Sequence, residues 1–175
     1  MKEIKPDQWK DNVFDAIGRQ WMLISAQQEG KVNTMTASWG GMGVLWNRSV
    51  ATIYVRPQRV ATIYVRPQRY TKQFIDASEY FSLCFFDDTW KEQLAYLGRV
   101  SGKDEPKIEK AGLTIKNDRQ APYFEQASVV VICRKLYADT LKKECFFQHE
   151  LYEQNYPNND LHTMYIGEIV EMITK

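Results

Sequence analysis

The chain has 175 residues, of which 44% are hydrophobic, 26% are charged and 13% are aromatic. This length fits a single domain with its own core, and the composition is typical of a soluble globular protein. The net charge of +1 gives no reason to expect nucleic acid or an anionic membrane as a partner. No apolar run approaches the roughly 20 residues of a membrane span, and the polar start lacks a secretory signal. We therefore expect a cytoplasmic protein.

The first forty-seven residues predict one helix, two strands and a loop. Residues 7–17 carry apolar side chains near helical spacing and are followed by Gly18, a typical helix stop. Residues 21–27 alternate as a strand does, and Glu29-Gly30 begins a tight turn into a second strand at 32–39. Residues 40–47, which contain three glycines and Trp46, are predicted to form a loop.

Two stretches around this region combine the features of a ligand site. The strand 32–39 carries short polar side chains and runs into Gly40-Gly41, which would let a flat ring approach the backbone closely. Farther on, Arg66 and Arg69 stand just before Thr71, a candidate N-cap, and arginines at a helix start favour an anion. A ring slot beside a phosphate clamp suggests a nucleotide-like cofactor, and flavin mononucleotide (FMN) fits it.

A perfect tandem repeat separates these two stretches. Residues 50–59, Val-Ala-Thr-Ile-Tyr-Val-Arg-Pro-Gln-Arg, recur unchanged as residues 60–69. In one alternative, the second copy takes the place of the first in the strand; because the insertion has an even number of residues, inward-facing side chains then stay inward. In the other alternative, the two copies pair with each other as a hairpin. Only the second copy is joined directly to Tyr70 and Thr71, so we assign the phosphate role to Arg66 and Arg69. Arg56 and Arg59 are their competitors.

The remaining chain predicts several strands and a few short helices. Helices are expected at 71–77 and at 106–111. A further helix is capped by Asp87-Asp88 and ends at Leu97, just before Gly98. The flexible basic loop 101–103 lies between this helix and the one at 106–111. Strands are expected at 80–86, 113–115, 127–139 and 164–172, with 129–133 buried on both faces, whereas 142–154 is ambiguous and 155–160 is a loop. Many short strands and few helices indicate a mainly β fold, a β-barrel with peripheral α-helices, over one domain spanning 1–175.

The cysteines argue against both a disulfide scaffold and a metal site. Cys84, Cys133 and Cys145 are odd in number and widely spaced, which fits a reducing compartment. Cys84 and Cys133 lie in apolar runs and are predicted to be buried thiols. Cys145 and His149 could form half of a metal site, but His162 is the one other histidine of the chain, so we predict no metal.

Four segments in order resemble the flavin reductase-like family of FMN-binding split barrels, the flavoredoxin branch especially: 33–39 (Asn-Thr-Met-Thr-Ala-Ser-Trp), 65–71 (Val-Arg-Pro-Gln-Arg-Tyr-Thr), 97–104 (Leu-Gly-Arg-Val-Ser-Gly-Lys-Asp) and 162–169 (His-Thr-Met-Tyr-Ile-Gly-Glu-Ile). The resemblance implies the FMN-binding split barrel, a homodimer with the cofactor near the subunit interface, and a loop 101–103 close to the flavin, unless that loop is an ordinary solvated connection. Trp46 would either shield one face of the flavin or pack against the barrel. The residues expected to bind FMN are Asn33, Thr34, Met35, Thr36, Ala37, Ser38, Trp39, Arg66, Arg69, Tyr70, Thr71, Ser101, Gly102 and Lys103.

The expected function is that of an FMN-dependent oxidoreductase with NADH or NADPH as co-substrate. The sequence has no dinucleotide-binding glycine fingerprint, no P-loop and no nucleophile elbow, and a flavin enzyme needs none of them because the cofactor carries the electron chemistry. Electrons would pass to free flavin, another small molecule or a protein acceptor. His162 is the candidate for the nicotinamide side, against a loop histidine without an active role. The alternatives are an FMN-binding electron carrier that binds no nicotinamide and a barrel without a cofactor.

Overall fold

The computed structural model of the chain describes residues 1–56 and 70–175. Seven strands form an antiparallel sheet in the order β3-β2-β6-β9-β10-β5-β4; β1 adds to β10, and β7 pairs with β8 in a separate small sheet. The strands are β1 (Lys2–Ile4), β2 (Met22–Gln28), β3 (Lys31–Ala37), β4 (Gly40–Leu45), β5 (Arg48–Val55), β6 (Tyr80–Phe85), β7 (Ile115–Lys116), β8 (Tyr123–Phe124), β9 (Val129–Thr140) and β10 (Thr163–Thr174).

Four α-helices lie around the sheet: α1 (Thr71–Ala77), α2 (Lys91–Arg99), α3 (Lys107–Lys110) and α4 (His149–Asn155). Short 3-10 turns occur at Pro6–Gln8, Asp88–Trp90 and Lys143–Cys145, and a π-helix at Asp15–Gln20. The predicted mainly β class with peripheral helices is confirmed. None of the helices in 1–56 and 70–175 is long and apolar enough to cross a bilayer.

Hydrophobic residues pack on both faces of the sheet. Alternate residues of β2 divide between the two cores, with Met22 and Ile24 on one side and Leu23 on the other. The second core also holds Leu94 and Leu97 of α2, so that helix covers the face opposite to the first core. All five residues Val129–Cys133 of β9 are buried, as their continuous apolar run predicts.

The cysteines behave as predicted in the two buried strands. Cys84 and Cys133 are free and buried in the cores, whereas Cys145 is exposed. Burial raises the pKa of the Cys84 thiol to about 12, because an apolar surrounding disfavours the thiolate. These two thiols are therefore packing residues.

In the part of the chain that the structure describes, no strand joins β3 to β4. Within the described ranges, β3 pairs with β2 alone and β4 with β5 alone, although Ser38 and Trp39 are all that separates β3 from β4 in sequence. Each of these two strands therefore has one edge that pairs with no strand of residues 1–56 and 70–175. The edge of β3 belongs to the segment predicted to bind a flat ring.

The prediction of a loop at 40–47 is wrong, because residues 40–45 form β4 and only Trp46 and Asn47 make the turn into β5. Of the glycines that suggested a loop, Gly40 serves a close approach: a Cβ there would lie 2.7 Å from the carbonyl oxygen of Thr52 and 3.2 Å from the methyl group of Met22. The turn residues both have positive φ, 52° and 56°, which is the geometry of a two-residue hairpin turn.

The predicted continuous helix at 7–17 is also wrong, since the 3-10 turn Pro6–Gln8 is followed by non-helical residues 9–12, and a second helical segment begins at residues 13–14 and continues as the π-helix Asp15–Gln20. The side-chain oxygen of Asn12 accepts hydrogen bonds from the backbone N–H groups of Phe14 (3.0 Å) and Asp15 (3.4 Å). This side chain begins a new helical turn and so interrupts a continuous helix. Phe14, expected on the apolar face, is almost fully exposed.

Other boundaries differ by one to three residues. Helix α1 has the predicted bounds, and Asp87 caps the turn before α2 by accepting from the Thr89 N–H at 3.0 Å. Helix α2 continues past Gly98 to Arg99, and a Cβ on Gly98 would lie 3.3 Å from that of Thr36. Gly98 therefore allows α2 to lie close against β3 and does not end the helix.

The first copy of the repeat supplies most of β5. Its residues 50–55 pair with β10, and residues 50–53 also pair with β4 on the other side. Residues 57–69, which include Arg59 and the whole second copy, lie outside the described residues. The two alternatives for the repeat, a slid strand and a hairpin, therefore stay predictions.

Candidate functional site

The side chains of the predicted ring-binding strand are mostly engaged in the protein itself. The hydroxyl of Thr34 donates to the carbonyl of Ile24 at 3.1 Å, and that of Thr36 donates to the carbonyl of Leu94 at 2.6 Å. Met35 and Ala37 belong to the first core. What β3 offers to a ligand is therefore the backbone edge that no described strand pairs, and not a row of free side chains.

Three segments predicted to bind the cofactor meet at the start of β3. The side-chain amide of Asn33 donates to the hydroxyl of Thr71 at 3.3 Å, and both residues are buried, with 4% and 1% of their surface exposed. A Cβ on Gly102 would lie only 2.5 Å from Oδ1 of Asn33. Strand β3, helix α1 and the loop 101–103 are thus in direct contact, although they are far apart in sequence.

Thr71 is not the N-cap that the sequence predicts. The residue before the helix is Tyr70, whose backbone is already helical, with φ −51° and ψ −31°, and Thr71 is the first residue of α1. Its hydroxyl accepts from Asn33 and so connects the helix to β3. Tyr70 packs edge-on against Phe74, with ring centroids 5.0 Å apart.

The loop 101–103 turns toward the start of α1. The ammonium group of Lys103 lies 5.0 Å from the centroid of the Tyr70 ring, and the Lys103 N–H donates to the hydroxyl of Ser101 at 3.2 Å. Buried Lys107 donates to the carbonyls of Leu97 (3.1 Å) and Val100 (3.0 Å), which fixes the end of α2 where the loop begins. A positive charge therefore stands beside the segment predicted to bind phosphate.

The arginines predicted to hold the phosphate, Arg66 and Arg69, lie outside the described residues, as does their competitor Arg59. The other competitor, Arg56, is bound elsewhere. Its guanidinium donates to Asp160 at 2.7 Å and to the carbonyl of Asn155 at 2.8 Å, and it lies 5.3 Å from the centroid of the Tyr156 ring. Arg56 thus stabilises the end of α4. None of these three contacts involves Thr71 or the start of α1.

His162 lies beside the other end of the predicted ring-binding segment. Its ring centroid is 5.0 Å from that of Trp39, the half-exposed residue that follows β3. Its Nδ1 is 3.0 Å from the hydroxyl of Tyr156, and both residues are buried. Sequence reasoning missed Tyr156, because nothing in a tyrosine six residues before a histidine distinguishes this contact from ordinary packing.

The two groups of contacts stand at opposite ends of one strand. Asn33 and Trp39 are six positions apart, which corresponds to about 20 Å of extended chain. An elongated molecule with a flat ring at one end and an anion at the other suits such a site, and FMN has that shape. Trp46 lies at the hairpin tip and is more than half exposed.

The described residues contain no group of three or more histidine, cysteine, aspartate or glutamate side chains that could hold a metal ion. Cys145 stands in an exposed 3-10 turn, and His149 is the first residue of α4.

The family comparison identifies the kind of protein to which this geometry belongs. The profile described as "Flavin reductase like domain" matches residues 14–175, which is nearly the whole chain. The chain belongs to the flavin reductase-like family. Membership supports a flavin-related oxidoreductase or FMN-binding role.

Solved structures of this family share the fold. Flavoredoxin from Methanosarcina acetivorans superposes with a TM-score of 0.63 at 21% identity, over 89% of this chain and 68% of the other. An FMN-binding domain of flavin reductases-like enzyme from Shewanella baltica OS155 gives 0.64 at 14%, over 98% and 75%. The styrene monooxygenase flavin reductase of Pseudomonas putida S12 gives 0.61 at 13%, over 89% and 79%. A search of curated protein sequences gives no match. The fold is thus the predicted flavin reductase split barrel.

Proposed function

We propose that this chain is an FMN-dependent oxidoreductase that uses NADH or NADPH. The observation that carries the proposal is the contact between Asn33, Thr71 and Gly102 at one end of the β3 edge, with Trp39 and His162 at the other. Family membership supports it, as does the fold shared with an FMN-binding domain. Bound FMN would supply the hydride and electron chemistry, and the protein would position it.

The residues have separate parts in this proposal. The backbone edge of β3 and of Ser38 would hydrogen-bond the ring and ribityl chain. Arg66, Arg69, Tyr70 and Thr71 would hold the phosphate, with the loop of Ser101, Gly102 and Lys103 closing that end. His162 would stand on the nicotinamide side, where Trp39 covers one side of its imidazole.

A second candidate function is electron transfer by bound FMN without a nicotinamide site. The flavoredoxin structures from Methanosarcina acetivorans and Desulfovibrio vulgaris (Miyazaki F) favour it, because they share this fold. Either way, the electrons would go to free flavin, another small molecule or a protein, in a cytoplasmic homodimer.

Anaerobic reduction separates the candidates. Purified protein loaded with FMN is mixed with NADH and, separately, with NADPH, and the flavin absorbance is followed. Rapid bleaching by either nucleotide supports the oxidoreductase. Bleaching by dithionite alone supports the electron carrier. A protein that stays colourless after incubation with FMN contradicts both and supports a barrel without cofactor.

A further inference from the structure

A lysine is buried where the chain leaves α2 and enters the loop 101–103. Lys107 exposes 3% of its surface, although lysine is rarely buried to that extent without partners. Its amino group donates to the carbonyls of Leu97 at 3.1 Å and Val100 at 3.0 Å. Both carbonyls belong to the C-terminal end of α2, where a helix leaves its last carbonyls without partners of its own. The two bonds therefore stabilise the junction between α2 and the loop.

These two bonds also fix the direction in which the chain leaves α2. Val100 is the C-cap and has extended backbone angles, φ −99° and ψ 140°, so the helix ends there. The carbonyl of Leu97 belongs to the helix and that of Val100 to the departing chain, and one amino group joins them. Within the loop, the N–H of Asp104 donates to the carbonyl of Ser101 at 3.1 Å. The loop is thus a closed turn whose base is bonded to Lys107.

The tip of the same turn reaches the proposed phosphate site. Gly102 lies so close to Asn33 that a Cβ would stand 2.5 Å from Oδ1. The ammonium group of Lys103 lies 5.0 Å from the ring centroid of Tyr70, the residue before α1. A displacement of the base would separate Gly102 from Asn33 and move Lys103 away from the start of α1.

We propose that Lys107 is a positioning residue for the FMN phosphate. By bonding the carbonyls of Leu97 and Val100, it holds the loop so that Lys103 stands at the start of α1. The two bonds need only N–H donors, so this role does not depend on the protonation state of the amino group. The role rests on the proposed function, because it concerns the phosphate end of that site.

Lys107→Met tests the role, because methionine keeps an apolar stem of similar length and lacks the amino group. We expect the Kd for FMN to rise about three- to tenfold, the range of one hydrogen bond. The Kd for riboflavin, which has no phosphate, should change less than about twofold. Isothermal titration of the folded protein with both ligands measures this. An unchanged affinity for FMN, or an equal loss for both ligands, overturns the proposal.

Lys110→Met is the matched control. Lys110 lies in the same helix and carries the same charge, but 54% of its side chain is exposed and it pairs with Glu105. Exposed ion pairs contribute little, so this variant should bind both flavins as the wild type does. A loss of FMN affinity as large as that in Lys107→Met would assign the effect to the charge of α3 and contradict the positioning role.

Lys103→Met tests the same loop without changing a buried residue, since Lys103 is exposed. It should raise the Kd for FMN about three- to tenfold and leave riboflavin binding almost unchanged. An unchanged Kd for FMN overturns the proposal, even where Lys107→Met does not fold. The double variant should lose less than the product of the two single losses, because Lys107 acts through the loop that carries Lys103. Independent losses contradict the positioning role.

Hydrogen exchange separates the anchoring of the loop from the function on which the phosphate role rests. In protein without FMN, the Asp104 amide should exchange faster in Lys107→Met than in the wild type, and at the wild-type rate in Lys110→Met. An unchanged rate in Lys107→Met means that Lys107 does not hold the loop. A wild type that binds no FMN overturns the proposed function and the phosphate role together, while the exchange rates still decide the anchoring.

Discussion

Gly102 stands where the loop after α2 touches Asn33, and its hydrogen side chain is the reason that this contact exists. We expect Gly102→Ala to lower the free energy of unfolding by about 1–3 kcal/mol, the usual cost of overpacking, and to weaken FMN binding. The methyl group would lie 2.5 Å from Asn33 Oδ1, and Asn33 is buried and bonded to Thr71, so it cannot move freely. Urea unfolding and FMN titration measure the two effects.

Gly41→Ala is the matched control, because a Cβ there meets no atom within 4 Å. It should change both quantities much less than Gly102→Ala does. Equal losses in the two variants would mean that the contact with Asn33 is not responsible.

The proposed phosphate clamp is the other prediction at the scale of residues. Arg69→Ala should weaken FMN binding roughly ten- to a hundredfold, because a charge-assisted, often bidentate contact to phosphate is lost. Riboflavin, which lacks the phosphate, should bind weakly to the wild type and be almost unaffected by the change. Isothermal titration with both ligands measures this. An unchanged FMN affinity in Arg69→Ala, with a loss in Arg59→Ala, assigns the phosphate to the other copy of the repeat.

Residue roles were only partly accessible from the sequence. The motif residues Asn33, Thr71 and Gly102 could be selected as a group, because short polar side chains and glycine near a helix start suit a bound anion. The contacts among these three residues could not be predicted, because the contacts join segments that are far apart in the chain. Tyr156 carried no signal at all, because its contact with His162 depends on the fold that brings the two together.

Among the elements, the hairpin of β4 and β5 contains one unfavourable turn residue, Trp46. Trp46 has φ 52° and Asn47 has φ 56°; asparagine tolerates this left-handed region, whereas a bulky residue rarely adopts it. We expect Trp46→Asn to raise the free energy of unfolding by about 0.5–1 kcal/mol, since such strain costs on the order of 1–3 kcal/mol and asparagine relieves part of it. Thermal unfolding measures the change.

Gly30→Ala tests the same principle in the opposite direction. Gly30 has φ +74° in the turn between β2 and β3, so alanine there should lower the melting temperature. If Trp46→Asn also lowers it, the tryptophan makes contacts that outweigh its backbone strain.

Elements with strong local signals were predicted well, and those that depend on pairing were not. The apolar run of β9 and the bounds of α1 follow from burial and periodicity within the segment itself. Strand β4 was missed, because three of its six residues are glycine, and it is a strand only through its pairing with β5. The π-helix at Asp15–Gln20 follows a turn in which the Asn12 side chain accepts two backbone hydrogen bonds, and apolar periodicity does not reveal such a contact.

For the whole molecule, the family resemblance predicts a homodimer with the cofactor near the subunit interface. The exposed apolar residues of the β4–β5 hairpin, Val44 and Trp46 among them, are compatible with burial in an interface. We expect light scattering of the FMN-loaded protein to give twice the 20.5 kDa chain mass. A monomer that keeps its flavin across the micromolar range would contradict the dimer.

The tandem repeat leads to the second prediction at this scale. Deleting residues 60–69 gives the same polypeptide as deleting 50–59, so every residue that forms β5 is retained, and the even length preserves strand faces. We expect the shortened protein to stay soluble, to bind FMN and to melt at the same temperature or slightly higher. Melting curves with saturating FMN measure this. A drop of more than about 10 °C would show that the additional copy contributes to the stability of the domain.

The position of β10 in the sheet has a consequence for the order of events during synthesis. Strand β10, the last in the sequence, pairs with β1, β5 and β9. It therefore connects strands from the beginning, the first third and the last third of the chain. Until the ribosome has made β10, β5 and β9 each lack the partner on that side, and their backbone edges stay open to other chains. Such non-local pairing slows folding and prolongs exposure to aggregation. The nascent chain therefore needs β10 to connect β9 with β5 in the sheet.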